Sequence, residues 1–310
     1  PLISDDILEL IIPWNRQTIM DDFGKEYLLE IPKYDGFCSI PNHVNFKPVL
    51  GNFLNRYSPL IHSPKQGQFD STLMFLKHIF QEQLEIGLDY LALLYRKPTQ
   101  PLPVLCLVSH ERNTGKTTFL NFVKEIFGLN VTYNKTDDFR SPFNSGWVGK
   151  LVISVDEVLF DKREDSERIK NLSTAKSFKA EAKGKDKDEI EFFGKFILCS
   201  NFEETFIQIG VGETRYWVIK VHRFDSEEVN LGKQLANEVP AFLHFLNTRN
   251  YSVKHSSRMW FPPEVLKTEA LQKVMFRSRG KVEVELIQVI SDLFEEFELT
   301  EIQACLNDFI

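Results

Sequence analysis

The hydrophobic and polar positions of the chain follow two patterns in turn. Four short segments are almost uninterrupted runs rich in Val, Ile and Leu: PLPVLCLVS (101–109), KLVISVDE (150–157), KFILCSN (195–201) and RYWVIKV (215–221). Such runs are typical of strands buried on both faces of a parallel sheet. In STLMFLKHIFQEQLEIGLDYLALLY and GKTTFLNFVKEIFG, apolar residues recur every three or four positions, which predicts helices ending before Pro98 and at Gly128. The alternation predicts an α/β fold with a mainly parallel central sheet.

The segments on either side of this core differ from it in pattern. Residues 1–67 are mixed and rich in aromatic residues and prolines, which predicts a small N-terminal α+β module. Residues 68–100 are predicted to form a helical linker or collar, and residues 101–224 the α/β core. Residues 225–310 are predicted to be a C-terminal helical region, because VNLGKQLANEVPAFLHFLNTR and VEVELIQVISDLFEEFE have helical spacing.

The composition is that of a folded protein. With 43% hydrophobic and 13% aromatic residues, the chain can bury a sizeable core, which argues against disorder. No apolar run approaches the ~18–20 residues that cross a bilayer, and no signal peptide is visible, so we expect a cytosolic protein without a membrane partner. The four cysteines lie far apart without a C-x-x-C pair, which favours reduced thiols over disulfides or zinc. The chain begins with proline, which suggests a fragment of a longer protein.

One segment departs from the acidic character of the chain. The net charge is −7, which argues against a uniformly basic surface for nucleic acid. Residues 168–187 nevertheless contain seven Lys and Arg residues against two acidic residues. This segment is therefore a local candidate for binding phosphate groups.

A phosphate-binding loop (P-loop) pattern follows the first apolar run. Its sequence is SHERNTGKTT, in which Gly115-Lys116-Thr117 match the end of G-x-x-x-x-G-K-[ST], while His110 stands where the pattern has its first glycine. The lysine of such a loop binds the β/γ-phosphates and the hydroxyl after it ligates Mg²⁺. We expect His110 to shape the first turn of the loop without touching nucleotide. The predicted nucleotide-binding residues are Asn113, Thr114, Gly115, Lys116, Thr117 and Thr118.

Three further motifs supply what ATP hydrolysis needs besides a P-loop. Asp156 and Glu157 end the second apolar run, where Asp156 would hold Mg²⁺ together with Thr117 and Glu157 would be the general base; the alternative is an ordinary acidic turn. Asn201 ends the third run and would orient the attacking water, or it simply favours a turn. Arg215 precedes the fourth run and would act as an arginine finger on a neighbouring subunit, or it is a solvated surface residue.

The order of these motifs resembles that of the superfamily 3 helicases, the compact AAA+ ATPases of small viruses, phages and mobile elements. SHERNTGKTT, LVISVDE, LCSN and GETRYW match the Walker A, Walker B and C motifs and the arginine finger of that family. The chain is most similar to the helicase part of phage and plasmid primase-helicase proteins, over residues 104–221. Because no primase or polymerase motif is present, such a domain is expected upstream or as a separate protein.

The resemblance implies an AAA+ P-loop NTPase core that uses ATP and Mg²⁺ and works as a homo-hexameric ring in the cytoplasm of a bacterial host. It also implies a role for the basic segment. Residues 175–196 are predicted to form two strands joined by a turn at Gly184, and the family's corresponding hairpin grips single-stranded DNA in the ring channel. Lysines on such a tip would bind phosphates independently of base sequence, whereas the alternative is a solvated turn. The predicted DNA-binding residues are Lys183, Lys185 and Lys187.

Two other functions remain open at this point. The chain could be an AAA+ ATPase of a signalling or defence system, which hydrolyses ATP without unwinding DNA. It could also be a nucleotide-binding structural partner without turnover, although the complete set of Asp156, Glu157, Asn201 and Arg215 argues against this. The resemblance implies translocation from 3′ to 5′, about which the residues themselves carry no information.

Overall fold

The strands predicted from apolar runs are all present in the computed structural model, which describes residues 14–296 except 142, 143, 145, 161, 181–187, 225 and 227. The strands in this part of the chain are β1 (Gly36–Cys38), β2 (Val49–Leu50), β3 (Phe53–Asn55), β4 (Val104–Val108), β5 (Val131–Asn134), β6 (Val152–Val155), β7 (Ser177–Ala180), β8 (Asp188–Glu191), β9 (Lys195–Ser200) and β10 (Tyr216–Lys220). The helices are α1 (Arg16–Phe23), α2 (Asp70–Phe80), α3 (Leu84–Arg96), α4 (Lys116–Phe127), α5 (Arg163–Leu172), α6 (Leu231–Thr248), α7 (Pro263–Leu266), α8 (Glu269–Arg277) and α9 (Lys281–Glu296).

Five strands form the central sheet, in the order β10-β4-β9-β6-β5, and every neighbouring pair is parallel. This confirms the predicted α/β fold. Strand β5 was not predicted, because this edge strand buries only its two ends and does not have the continuous apolar run of its neighbours. Since all five strands run the same way, the sheet has one edge where strands end and one where they begin. We call these the carboxyl edge and the amino edge.

The two faces of the sheet are covered by different helices. Alternate residues of a strand point to opposite faces, so in β4 Leu105 and Leu107 pack in one cluster and Val104, Cys106 and Val108 in the other. The first cluster contains the buried sides of α2, α3, α4 and α6, and the second contains buried residues of α5 and α8. The central strands are therefore buried on both faces, which explains their uninterrupted apolar sequences.

The segment before the core forms a second, smaller sheet. Strand β3 pairs with β1 in parallel and with β2 in antiparallel orientation, and α1 precedes them. The described part of this segment thus contains both strands and a helix. Among the described helices, none is both long and apolar enough to cross a membrane.

The basic segment contains the predicted pair of strands, with one difference in length. Strands β7 and β8 are antiparallel, with Ser177 opposite Glu191. The second predicted strand ends at Glu191 and does not continue to Phe196, because the chain passes Gly194 and enters β9 of the central sheet. A side chain at Gly194 would approach Ile153 Cδ1 to 2.8 Å, so glycine allows the chain to cross closely over β6 at this point.

Candidate nucleotide site

The P-loop joins β4 to α4 at the carboxyl edge of the sheet. Asn113 and Gly115 have positive φ angles of 55° and 86°, which place both residues in the left-handed region. Glycine is required at position 115 for a second reason: a Cβ atom there would lie 2.8 Å from Phe224 Cε2. The loop backbone is therefore packed closely against the ring of Phe224.

Lys116 is the first residue of α4 and is buried, with 7% of its surface exposed. Its ammonium donates to Ser109 O at 3.3 Å and to Thr114 Oγ1 at 3.2 Å. Burial lowers the pKa of the Lys116 ammonium, while the carboxylates of Asp156 and Glu203 act in the opposite direction. The positive charge therefore lies inside the loop, facing the acidic groups of the neighbouring strands.

A direct contact joins the P-loop to the acidic pair after β6. Thr117 Oγ1 donates a hydrogen bond of 2.9 Å to Asp156 Oδ2. The contact forms because β4, β9 and β6 are adjacent and parallel, so their carboxyl ends lie at the same edge. The start of α4, which follows β4, is therefore close to the end of β6. A hydroxyl and a carboxylate are hard oxygen donors, which fits Mg²⁺ held by one or two carboxylates together with substrate phosphates. Within the described ranges, no group of three or more His, Cys, Asp or Glu residues could hold a metal.

Glu157 has an unusual backbone conformation for its residue type. Its φ angle is 55°, and its N–H donates to Asp156 Oδ1 at 3.0 Å. A non-glycine residue with positive φ is strained by about 1–3 kcal/mol, and such strain is concentrated at functional positions. The side chain is exposed and lies beside Asp156.

His110 and Asn201 are also brought together. The His110 ring donates from Nδ1 to Asn201 O at 3.0 Å, and the His110 N–H donates to Glu203 Oε1 at 3.1 Å. Burial alone would raise the pKa of Glu203, but hydrogen bonds from Lys220 and from His110 lower it. Lys220 Nζ lies 2.8 Å from Glu203 Oε2. His110 thus replaces a glycine with a side chain that ties the loop to the end of β9.

Arg215 is the predicted residue that does not join this group. It immediately precedes β10, and its carbonyl accepts from Val104 N, so it lies at the amino edge. The Arg215 guanidinium donates to both carboxylate oxygens of Glu213, at 2.7 and 2.8 Å, and to Lys170 O at 3.3 Å. The structure therefore separates Arg215 from the P-loop of its own chain by the length of a strand.

The base of the lysine-rich hairpin is anchored in the core, while its tip lies outside the described residues. Phe178 of β7 packs against Trp147, with ring centroids 6.0 Å apart, and Asn144 Nδ2 donates to Lys179 O at 2.9 Å. Because β8 leads into the first residue of β9, the hairpin belongs to the amino edge. Lys183, Lys185 and Lys187 are among the residues not described, so DNA binding by these side chains stays a prediction.

Several residues that contact the predicted ones were missed by the sequence interpretation, among them His78, Glu203, Glu213 and Phe224. Glu203 and Glu213 lie two positions from Asn201 and Arg215, so the acidic residue near each motif was a usable signal. His78 and Phe224 contact the P-loop from outside the motifs, where the sequence carries no local sign of them. His78 Nε2 donates to Thr114 O at 3.1 Å, and Phe224 N donates to Asn113 O at 3.1 Å.

Comparisons with known proteins agree on the fold and leave the family open. A model of a family of unknown function (DUF5906) matches residues 107–215. No curated protein matches the chain. Among solved structures, the apo structure of the NrS-1 C-terminal region (305–718) is similar, with a TM-score of 0.68 and 18% identity over 86% of this chain and 66% of that one. The chain thus spans just under two thirds of that structure.

Two further structures of the same NrS-1 region, both described as A-form apo structures, give similar results. One has a TM-score of 0.69 at 17% identity and covers 93% of this chain and 74% of its own. The other has a TM-score of 0.66 at 17% identity and covers 94% and 76%. At this level of identity the similarity establishes a shared fold, which in this chain is an α/β architecture built on a five-stranded parallel sheet.

Proposed function

We propose that this chain is an ATP-dependent DNA helicase or translocase module that hydrolyses ATP at the subunit interfaces of a ring. The observation that carries the proposal is the contact between Thr117 and Asp156, beside the buried Lys116, at the carboxyl edge of a parallel sheet. A P-loop lysine, a metal-ligating hydroxyl and a strand-end carboxylate are the parts that P-loop NTPases use for phosphoryl transfer.

The residues would divide the work of hydrolysis between them. Lys116 would bind the β/γ-phosphates, and Thr117 and Asp156 would hold Mg²⁺, which when bound would neutralise charge on the phosphate oxygens. Glu157 accepts the proton of the attacking water as that water forms its bond to the γ-phosphorus, and the bond from the γ-phosphorus to the oxygen of the departing ADP breaks. The Asn201 side chain orients the water.

The position of Arg215 supports a ring of subunits. An arginine finger acts on charge that develops at the γ-phosphate, and Arg215 lies at the edge of the sheet farthest from its own P-loop. It would therefore serve the site of the next subunit, in a head-to-tail interface that closes into a ring. We propose a homo-hexamer with ATP between subunits and single-stranded DNA in the channel.

The hairpin would link hydrolysis to movement of DNA. Strand β8 of the hairpin leads through residues 192–194 into β9, whose far end is followed by Asn201, and the hairpin tip carries Lys183, Lys185 and Lys187. A change at the nucleotide would move the tip and with it the bound strand. The physiological setting that we propose is replication of a phage or mobile element, with a primase or polymerase domain upstream or separate.

The test is an ATPase assay with and without single-stranded DNA. We expect DNA to stimulate the wild-type rate several-fold, Lys116→Ala to abolish turnover, and Lys183→Ala/Lys185→Ala to lower the ratio of stimulated to unstimulated rate. Lys25→Ala/Lys33→Ala, which removes two exposed lysines of the N-terminal module, is the matched control. A wild-type ATPase that ignores DNA would favour a signalling or defence ATPase. Unchanged turnover in Lys116→Ala would show that ATP is not hydrolysed at the P-loop.

A further inference from the structure

The outer side of the P-loop is covered by two residues that lie outside every nucleotide-binding motif. His78, near the end of α2, and Phe224, four residues after β10, stack on each other with ring centroids 3.8 Å apart and 13° between their planes. Phe75, one turn earlier on α2, stacks on the Phe224 ring with centroids 6.3 Å apart. Its Cε2 lies 3.2 Å from the position that a Cβ at residue 115 would occupy. The loop backbone therefore rests on an aromatic surface.

Each of the two residues also holds one carbonyl of the loop. The Phe224 N–H donates to Asn113 O at 3.1 Å, and His78 Nε2 donates to Thr114 O at 3.1 Å. Since a carbonyl oxygen only accepts, the His78 ring must carry its proton on Nε2. Two successive carbonyl groups of the loop are thus fixed on the side of α2.

Fixing the carbonyls also fixes the direction of the amides. In a planar trans peptide the N–H points away from the C=O of the same unit. The N–H groups of Thr114 and Gly115 therefore point to the opposite side of the loop, away from His78 and Phe224. The positive φ angles of Asn113 and Gly115 allow these amides to converge in a concave nest that binds anions.

The helix that presents His78 is itself firmly held. The backbone N–H groups of Ser71 and Thr72 at the start of α2 donate to the Glu238 carboxylate of α6, at 3.2 and 2.7 Å. A side chain presented from a fixed helix positions its target better than one from a mobile loop. His78 is thus placed to orient the P-loop from outside the motif region.

We propose that His78 and Phe224 are positioning residues for the triphosphate: they hold the P-loop carbonyls outward so that the amides of Thr114 and Gly115 face the phosphate oxygens. The proposal rests on the function proposed above and adds an element to it, because α2 becomes part of the nucleotide site. The orientation is present before ligand binds, so its benefit is the same in the ground state and the transition state.

The test is the affinity for a fluorescent N-methylanthraniloyl ATP with Mg²⁺, measured for wild type, His78→Ala, His78→Gln and Lys116→Ala. Losing one hydrogen bond that orients the loop is expected to raise Kd about 3- to 10-fold in His78→Ala. Gln carries an amide N–H near the position of Nε2 and should bring Kd back to within about 2-fold of wild type. In steady-state assays KM should rise with Kd, while kcat falls by less than about 2-fold.

His255→Ala is the matched control, since this exposed histidine stacks on Trp260 in the same manner, at 4.8 Å and 17°, in the C-terminal region. It should bind like wild type, and thermal melting should confirm that all variants are folded. If Lys116→Ala loses binding but His78→Ala keeps it, the inference is overturned and the proposed function stands. If the Gln variant binds as weakly as the Ala variant, the hydrogen bond is not what orients the loop, and the inference fails. If wild type does not bind, the proposed function and the inference fail together.

Discussion

The polar residues at the two edges of the central sheet have different contact partners. At the carboxyl edge, residues that follow different strands contact one another: Thr117 donates a hydrogen bond to the Asp156 carboxylate, and the His110 ring donates one to the backbone carbonyl of Asn201. At the amino edge, the Arg215 guanidinium is engaged by Glu213 of the same loop. A strand of five residues spans roughly 16 Å, so Arg215 cannot reach the group at the other edge of its own sheet.

This difference shows which residues of the proposed nucleotide site a single chain can bring together. Parallel strands bring their carboxyl ends together, so the topology alone assembles the P-loop, the acidic pair and Asn201. The same topology places Arg215 at the opposite edge. A site that uses all of these residues must therefore combine two chains, with one edge from each.

Replacing Arg215 tests the amino edge and should have the largest effect. If Arg215 acts as a finger on the next subunit, Arg215→Ala should lower kcat about 1,000-fold, because charge that develops in the transition state loses its partner. The Kd for ATP should stay within about 3-fold of wild type, since the effect lies in the transition state. Single-turnover and steady-state assays measure both. Arg258→Ala, at an exposed arginine of the C-terminal region, is the control, and an equally large loss there would contradict a specific role.

Replacing Asp156 tests the carboxyl edge. Asp156→Asn keeps the size of the side chain but removes the negative charge that would hold Mg²⁺ beside Thr117. We expect kcat to fall about 100-fold and the Mg²⁺ concentration for half-maximal rate to rise. Asp292→Asn, at an exposed aspartate of α9, provides the comparison. Wild-type Mg²⁺ dependence in Asp156→Asn would remove this residue from the metal site.

Much of the carboxyl edge could be predicted from the sequence, because its determinants are local. Strands buried on both faces have continuous apolar sequences, and the candidate residues Asp156 and Asn201 follow directly at the ends of such runs. Strand β5 lacked this signal because it lies at the edge of the sheet. The contacts of His78 and Phe224 with the loop could not be predicted, since they depend on how α2 and the segment after β10 pack in three dimensions. The contact of Glu213 with Arg215 could have been predicted, because side chains two residues apart in an extended chain point to the same side.

Replacing Glu213, the carboxylate that binds Arg215 at the amino edge, should have a smaller effect on kcat. Glu213→Gln removes the charge from a bidentate pair whose two contacts are 2.7 and 2.8 Å. The guanidinium would then be less well oriented, and we expect kcat to fall about 3- to 10-fold with little change in the Kd for ATP. Comparing kcat and the Kd for ATP between Glu213→Gln and wild type shows whether Glu213 orients Arg215. A faster enzyme would show that Glu213 restrains Arg215, and an unchanged one that the pair is only structural.

Lys195, the first residue of β9, is a buried cation at the amino edge, and its titration tests whether its role there is structural. It is fully enclosed and donates to Phe193 O at 2.7 Å and to Pro98 O. Burial lowers the pKa of Lys195 from 10.5 to about 7. Between these two values the unfolded chain binds more protons than the folded one, so the contribution of Lys195 to the free energy of unfolding increases with pH, by up to about 1.4 kcal/mol per pH unit. Below pH 7 both states are protonated and this contribution is constant.

The measurement is urea unfolding between pH 6 and 10 for wild type and Lys195→Met. The stability of wild type relative to the variant should be lowest near pH 6 and should increase above pH 7. Lys233→Met, at an exposed lysine of α6, should show no such dependence relative to wild type. A wild-type and Lys195→Met pair whose difference is independent of pH would mean that Lys195 titrates normally in the folded protein.

The central claim, that each site takes one edge from each of two chains, is tested most directly by mixing two inactive variants. Lys116→Ala keeps Arg215, and Arg215→Ala keeps the P-loop, so a mixed ring contains interfaces in which both intact halves meet. With random assembly at equal concentrations, about one interface in four is complete, and about a quarter of the wild-type ATPase rate should return. Recovery to this level is the predicted result. A mixture that stays as inactive as its components, although mass measurements show mixed rings, would contradict the shared site.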